Sequence, residues 1–316
     1  MPGPRILAVR LSSMGDVIHT LPAVASLKKS FPSCTLAWVI QPRWAYLLEA
    51  NPFVDEVIPF ERTKAGVQTA WRRLRAQKFD LVVDFQGLIQ SALLAAATRS
   101  HQIVGLSRGE AREALATLFY TTAVRTKGPH RVDRYMDLAT AAGASHKTRE
   151  FPLPQGAPEG DLPRGNFVLA SPLAGWGSKQ WPLEYYTELA LSMELPLVVN
   201  GPPDSESALR QITGAHVHLS GIPGLIDATR RATAVIGVDS GPTHLAAALS
   251  KPGVALYGPT DPATHGPYGG SLKVLRAASA ITSYKRLAST DPSMRAIRPS
   301  EVLEALVAQK LDLQNA

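Results

Sequence analysis

Apolar runs and polar breaks alternate along this chain with the spacing of strands and helices. Residues 5–10 (RILAVR) carry a short aliphatic run, the pattern of a strand buried on both faces. A small polar loop, SSMGD, follows, and VIHTLPAVASLKKS then has a helical pattern. CTLAWVI reads as a second strand, Pro42 opens a helix over PRWAYLLEAN, and VDEVIPF is a third strand followed by a basic helix over residues 64–77. FDLVVDF, ending at Phe85, is a fourth strand with GLIQSALLAAATRS as its helix; HQIVGL and a helix over 132–142 complete the set. Strands alternating with helices at this spacing predict a parallel, doubly wound α/β sheet.

Residues 150–165, EFPLPQGAPEGDLPRG, are rich in Pro and Gly and lack periodicity, which marks an interdomain linker. A second α/β set follows in NFVLASPL, LPLVVNG, HVHLS, VIGVD and GVALYG, and a helix over 301–311 ends it. The expected organisation is an N-terminal domain over 1–155 and a C-terminal domain over 165–316. They are two Rossmann-like halves facing a cleft, with the last helix a candidate to pack back on the N-terminal domain.

One stretch concentrates the chemistry. Residues 234–262, AVIGVDSGPTHLAAALSKPGVALYGPTDP, read as strand, tight turn, helix, strand and turn. Pro242 stands where a first helical position falls, because its fixed φ suits a helix start and its missing N–H has no partner there. The helix N-terminus then lies at the carboxyl end of a parallel strand, where open α/β sheets bind phosphates. The plain alternative is a structural turn with Asp239 or Ser240 as helix cap.

At 316 residues, 45% hydrophobic and 19% charged, the chain has the length and composition of about two ordinary globular domains. Its one cysteine, Cys34, lies in an apolar run; it excludes a disulfide framework and reads as a core residue. No apolar run reaches the ~18 residues of a transmembrane helix, and no signal-peptide pattern opens the chain, so the expected location is cytoplasmic. The net charge of +7 points to acidic partners: phosphates, anionic lipid or nucleic acid. Clusters such as Arg72–Arg73–Arg75 and Arg230–Arg231 read as solvated helix faces. With no aromatic-rich RNA-binding signature and no zinc-finger spacing, no nucleic-acid partner is expected.

Two more loops sit at strand carboxyl ends. In SSMGD, Gly15 permits close backbone approach or a positive φ. Asp16 is either a helix N-cap or a general base for an attacking hydroxyl; His19, one turn on, reads as packing. In AGWGSKQWP, Gly175 and Gly177 give a flexible backbone. Lys179 there is either a solvated lysine or a cation for a diphosphate leaving group. Familiar alternatives fail on spacing: there is no P-loop, no GxGxxG after the first strand, no nucleophile elbow and no HExxH or paired-Cys metal signature.

Taken together, SSMGD, DFQGLIQSALLA (84–95), AREALATLFY (111–120) and VDSGPTHLAAAL followed by ALYGPTDP resemble the bacterial lipopolysaccharide heptosyltransferases, and among them the heptosyltransferase I group. The match covers nearly the whole chain in the right order. The resemblance implies a GT-B architecture and inverting, metal-independent transfer of heptose from ADP-heptose to the Kdo sugar of lipid A. No cofactor is implied. Carried over residue by residue, Asp16 matches the family's catalytic base and Lys179 the lysine that meets the donor diphosphate. Asp239, Ser240, Gly241, Pro242, Thr243 and His244 match the donor-binding signature, with Ser240 in place of the more usual threonine. On the acceptor side the resemblance points to Ser13, Met14, Gly15, Arg62, Lys64, Gln86 and Arg112.

The chain departs from the family pattern where Gln90 replaces a frequent lysine after QGL and where the C-terminal region lacks the usual cysteines. The acceptor lies in a membrane, so the expected partner surface is the anionic inner leaflet, met peripherally by basic residues of the N-terminal half. The alternatives are a related GT-B transferase with another nucleotide-sugar donor and a non-catalytic nucleotide-sugar-binding protein.

Overall fold

In the computed structural model, which describes residues 3–309, the chain divides into two compact units, Met1–Pro154 and Gln155–Ala316. The first unit holds strands β1 (Arg5–Val9), β2 (Thr35–Ile40), β3 (Glu56–Pro59), β4 (Leu81–Asp84), β5 (Ile103–Leu106) and β6 (Thr122–Val124). They form one parallel sheet in the order β3-β2-β1-β4-β5-β6. Helices α1 (Met14–Ser30), α2 (Lys64–Ala76) and α3 (Ile89–Ala97) connect strands of this sheet, and α4 (Arg131–Ala141) follows β6. The central strands are buried apart from Arg5 at the start of β1, as the unbroken aliphatic runs require. Cys34 lies in this core.

The second unit repeats the plan. Its strands are β7 (Val168–Ser171), β8 (Leu197–Gly201), β9 (His216–Leu219), β10 (Ala234–Val238), β11 (Gly253–Tyr257) and β12 (Leu272–Arg276), in the order β12-β11-β10-β7-β8-β9, again all parallel. Helices α5 (Leu183–Ser192), α6 (Glu206–Leu209), α7 (Ile222–Arg231), α8 (Gly241–Ala248), α9 (Pro262–His265), α10 (Pro292–Ala296) and α11 (Pro299–Val307) complete it. In each unit the first strand is central and strand order reverses beside it, between β1 and β4 and between β7 and β10. Ligands of open α/β sheets bind outside the carboxyl ends at such a reversal.

Several expectations need correction. PRWAYLLEAN forms a 3₁₀ turn, Pro42–Leu48, and not an α-helix; the chain turns away at Ala50, with φ +49°, and Asn51–Pro52. Two edge strands escaped the sequence reading. β6 is three residues long and largely exposed, so it shows no alternation, and β12 is half-exposed on the far edge. Gly15 lies within the first turn of α1 and not at a positive φ. The terminal helix ends at Val307, and Val302 and Leu306 belong to the core of the second unit; residues 310–311 of the expected helix lie outside the described residues.

The Pro/Gly-rich stretch is irregular but tied down. Asn51 donates to the Pro152 carbonyl at 2.9 Å in the first unit. In the second, Gly221 N donates to Glu159 Oε2 at 2.6 Å and Arg231 to the Pro163 carbonyl at 2.9 Å.

Gly253 opens β11 at φ +149°, and a Cβ there would lie 1.9 Å from the Val235 carbonyl oxygen on β10. Gly253→Ala is expected to destabilise the second unit by about 2 kcal/mol or more, through strain and broken pairing. Thermal unfolding followed by circular dichroism checks this; an unshifted midpoint overturns it.

Candidate active site

In the first unit, α1 starts directly after the SSMGD loop at the end of β1. Ser13 is the helix cap and Asp16 the third helical residue, so Asp16 is not itself the cap. The backbone N–H and the hydroxyl of Ser13 both donate to Asp16 Oδ2, at 3.2 and 2.9 Å, the Glu/Asp half of a capping box. The other carboxylate oxygen, Oδ1, meets Arg10 Nη2 at 2.6 Å. Arg10 is buried; its Nη1 donates to the Phe85 carbonyl at 2.6 Å and its guanidinium lies over the Tyr135 ring. Burial disfavours a charged Asp16, but Arg10, Arg131 and His19 outweigh it and hold the carboxyl well below the usual carboxylate range. His19 is buried edge-to-face with His130, centroids 5.3 Å apart, which fits packing.

The loop that carries Asp16 is pinned from β4. Gln86, expected on the acceptor side, accepts through Oε1 from Leu11 N at 2.9 Å and Ser12 N at 3.4 Å, so that oxygen is engaged with backbone. Asp84, fully buried, holds that turn in place. It accepts from Gln86 N, Gly87 N, Ser91 Oγ and Tyr120 OH, at 2.8, 3.3, 2.8 and 2.8 Å. Its burial pushes its carboxyl up despite these bonds. Met14 is buried in the first turn of α1. Arg62, Lys64 and Arg112 are exposed. Arg112 is brought beside the Gln86 turn, its backbone N being 3.4 Å from where a Gly87 Cβ would stand. Arg62 and Lys64 lie at the start of α2, on the far side of the sheet order.

The second unit builds a matching arrangement around β10. Lys179 Nζ meets Asp239 Oδ2 at 2.5 Å, and His244 Nε2 lies 3.7 Å from Oδ1. Asp239 and His244 are both buried. Burial again opposes the charge, and the neighbouring His244 together with the Lys179 ammonium outweighs it, leaving Asp239 well below the usual range. Lys179 also sits 4.2 Å from the Trp176 ring centroid. Ser240 is the cap residue of α8, and the helix starts at Gly241, so Pro242 is its second position.

Two sequence readings change here. Thr243 is fully buried; its hydroxyl donates to the Val238 carbonyl and its N–H to Ser240 O, so both donors are engaged within the protein. Gly237 makes room for it, since a Cβ there would lie 2.1 Å from Thr243 Oγ1. Gly177 is likewise not a source of flexibility: a Cβ would lie 1.7 Å from the Ala288 carbonyl oxygen.

Three hydroxyls stand at the carboxyl ends of the adjacent strands β7, β10 and β11. Ser171 Oγ, Ser240 Oγ and Thr260 Oγ1 are buried and have no hydrogen-bond partner among the described residues. Buried hydroxyls are ordinarily satisfied, so this edge offers polar contacts to a ligand beside the positive end of α8. Arg10, Asp84, Ser171 and Thr260 were not singled out from sequence. The signal was available for the first two: a charge at the carboxyl end of a buried aliphatic strand.

The profile of glycosyltransferase family 9 (heptosyltransferase) matches residues 67–293. Lipopolysaccharide heptosyltransferase 1 of Pseudomonas aeruginosa is 34% identical over 297 residues, covering 84% of this chain and 82% of that protein. The enzyme of the same name from Escherichia coli K12 is 30% identical over 309 residues, covering 86% and 93%. Among solved structures, E. coli heptosyltransferase WaaC with ADP is similar at a TM-score of 0.78 and 27% identity, covering 97% of this chain and 99% of that one. The two parallel sheets, the reversal-point loops and these similarities give one conclusion: the chain is a glycosyltransferase of the GT-B fold class and belongs to glycosyltransferase family 9, the heptosyltransferases.

Proposed function

We propose that this enzyme transfers heptose from ADP-heptose to the Kdo sugar of lipid A in lipopolysaccharide inner-core synthesis, inverting the anomeric carbon. The observation that carries this reading is the Lys179–Asp239 pair at the head of α8. A cation fixed beside a helix N-terminus meets a diphosphate before and during its departure. The similar E. coli WaaC has been solved with ADP and with ADP-2-deoxy-2-fluoro heptose, which supports the donor class.

Asp16 serves as the base. Arg10 keeps it ionised and aimed, at some expense of basicity. An alcohol becomes strongly acidic as it bonds to an oxocarbenium-like carbon, so a carboxylate of low pKa is competent to take its proton late in the step. Inversion needs a base on one face of the sugar and leaving-group stabilisation on the other; Asp16 and Lys179 divide those tasks. With Lys179 and the α8 dipole meeting the diphosphate charge, the reaction proceeds without a metal.

The enzyme works at the cytoplasmic face of the inner membrane as a peripheral protein. No helix among the described residues is long and apolar enough to cross a membrane. Exposed Leu115 and Leu118 lie on a turn that follows exposed Arg108 and Arg112. Apolar side chains beside cations suit an anionic bilayer, where each Lys or Arg adds about 1 kcal/mol.

ADP release from ADP-heptose, with and without a Kdo-containing lipid A acceptor, tests the reading as a whole. Asp16→Asn is expected to lower acceptor-dependent turnover by roughly 10²–10⁴ with donor binding retained; unchanged turnover would sink the base assignment. Lys179→Ala should weaken both ADP affinity and rate, because its charge acts in ground and transition states. A change in stability alone would return Lys179 to a structural role. Co-sedimentation with anionic vesicles should be strong at low salt and weaken as salt screens the surface; absence of binding at low salt removes the membrane claim.

A further inference from the structure

The segment between β12 and α10 is irregular and largely exposed, carries the adjacent cations Lys285 and Arg286, and is fastened at both ends. Near its start, Arg276 donates to the Gly258 carbonyl at 3.1 Å and to Thr282 Oγ1 at 2.8 Å, while Ser283 N donates to the Pro259 carbonyl at 2.7 Å. Those contacts hold it to the turn at the carboxyl end of β11. Four residues on, Ser178 N donates to the Leu287 carbonyl at 3.0 Å, and Ala288 lies against Gly177 so closely that only glycine fits. Those contacts hold it to the loop at the carboxyl end of β7. The strand between β11 and β7 in the sheet is β10. Tyr284, Lys285 and Arg286 therefore span from the turn after β11 to the loop after β7, past the strand that leads into Asp239 and Ser240.

Within that crossing, Arg286 is placed by the ring that also receives Lys179. Its guanidinium carbon is 5.2 Å from the Trp176 centroid, and Lys179 Nζ is 4.2 Å from the same centroid. The two cations differ in what they are committed to. Lys179 is paired with the buried Asp239 carboxylate, so much of its charge is answered inside the protein. Arg286 has no carboxylate partner among the described residues. A nucleoside diphosphate brings more negative charge than one half-neutralised lysine meets, and a guanidinium presents paired N–H groups that match phosphate oxygens.

We infer that Arg286 is a second cation of the donor site, gripping the diphosphate of the nucleotide sugar from the strap that joins the β11 and β7 loops, with Trp176 holding it beside Lys179. The inference rests on the proposed nucleotide-sugar function and extends it to a residue outside the signature motifs. It also gives the strap a task. Gly177 and the Ser178–Leu287 bond fix the distance between the two cations by joining the two loops.

Isothermal titration of ADP, AMP and adenosine into the full chain tests this, using wild type, Arg286→Gln, Arg286→Lys and Lys273→Gln. Lys273 is an exposed lysine on β12 and controls for a general loss of charge. Arg286→Gln should weaken ADP binding by roughly tenfold or more, the scale of a lost charge-assisted hydrogen bond, and leave adenosine unchanged. Arg286→Lys should fall between, and Lys273→Gln should match wild type. Equal ADP affinity in Arg286→Gln and wild type overturns the inference while the donor reading stands. Equal losses for ADP and adenosine also overturn it, since Arg286 would then only support the loop. Absence of ADP binding by wild type overturns the nucleotide-sugar reading and this inference together.

Discussion

Two buried or half-buried carboxylates, each in direct ion-pair contact with a built-in cation, are the constraint around which both units are arranged. Asp16 is compensated by Arg10 and Asp239 by Lys179. Asp16 lies in the first turn of α1 and Asp239 in the turn between β10 and α8, where desolvation works against charge. Removing one partner of such a pair leaves an unanswered charge, at a typical cost of about 3–5 kcal/mol. The arrangement therefore explains the surroundings. Arg10 is held in its buried place by the Phe85 carbonyl and the Tyr135 ring as well as by Asp16.

The repeated sheet order makes this arrangement possible twice. In a parallel sheet with its first strand central, the loops leaving the strands on either side of the reversal diverge and leave backbone free at the carboxyl edge. The β1 and β4 loops meet there through Gln86, and the β7 and β10 loops meet through Lys179 and Asp239. The chemistry of the two edges differs in sign. The first presents an ionised carboxylate suited to accepting a proton, and the second presents a lysine, a helix N-terminus and unpartnered hydroxyls suited to an anion. Glycosyl transfer with inversion needs both kinds of group.

Much of this was legible along the chain. Aliphatic runs bounded by small polar loops located ten of the twelve strands in the two sheets, because a strand buried on both faces leaves no choice but continuous apolar residues. β6 and β12 were missed because edge strands are half solvated and need no such run. Asp16, Lys179 and Asp239 stood out because charged residues in small-residue turns after buried strands have few structural reasons to be there. Thr243 looked equivalent to its neighbours in the signature, yet its hydroxyl is spent on the Val238 carbonyl and its side chain fills the space beside Gly237, a pairing no local pattern announces.

The sequence by itself determined the alternation, the parallel sheets and the family, because these depend on local pattern and on motifs read in order. Only the tertiary structure decided the partners. That Arg10 answers Asp16, that Gln86 holds backbone, and that a strap near residue 286 crosses from β11 to β7 all join residues distant in the chain. Their meeting depends on sheet order and side-chain direction, which no spacing within a single segment encodes.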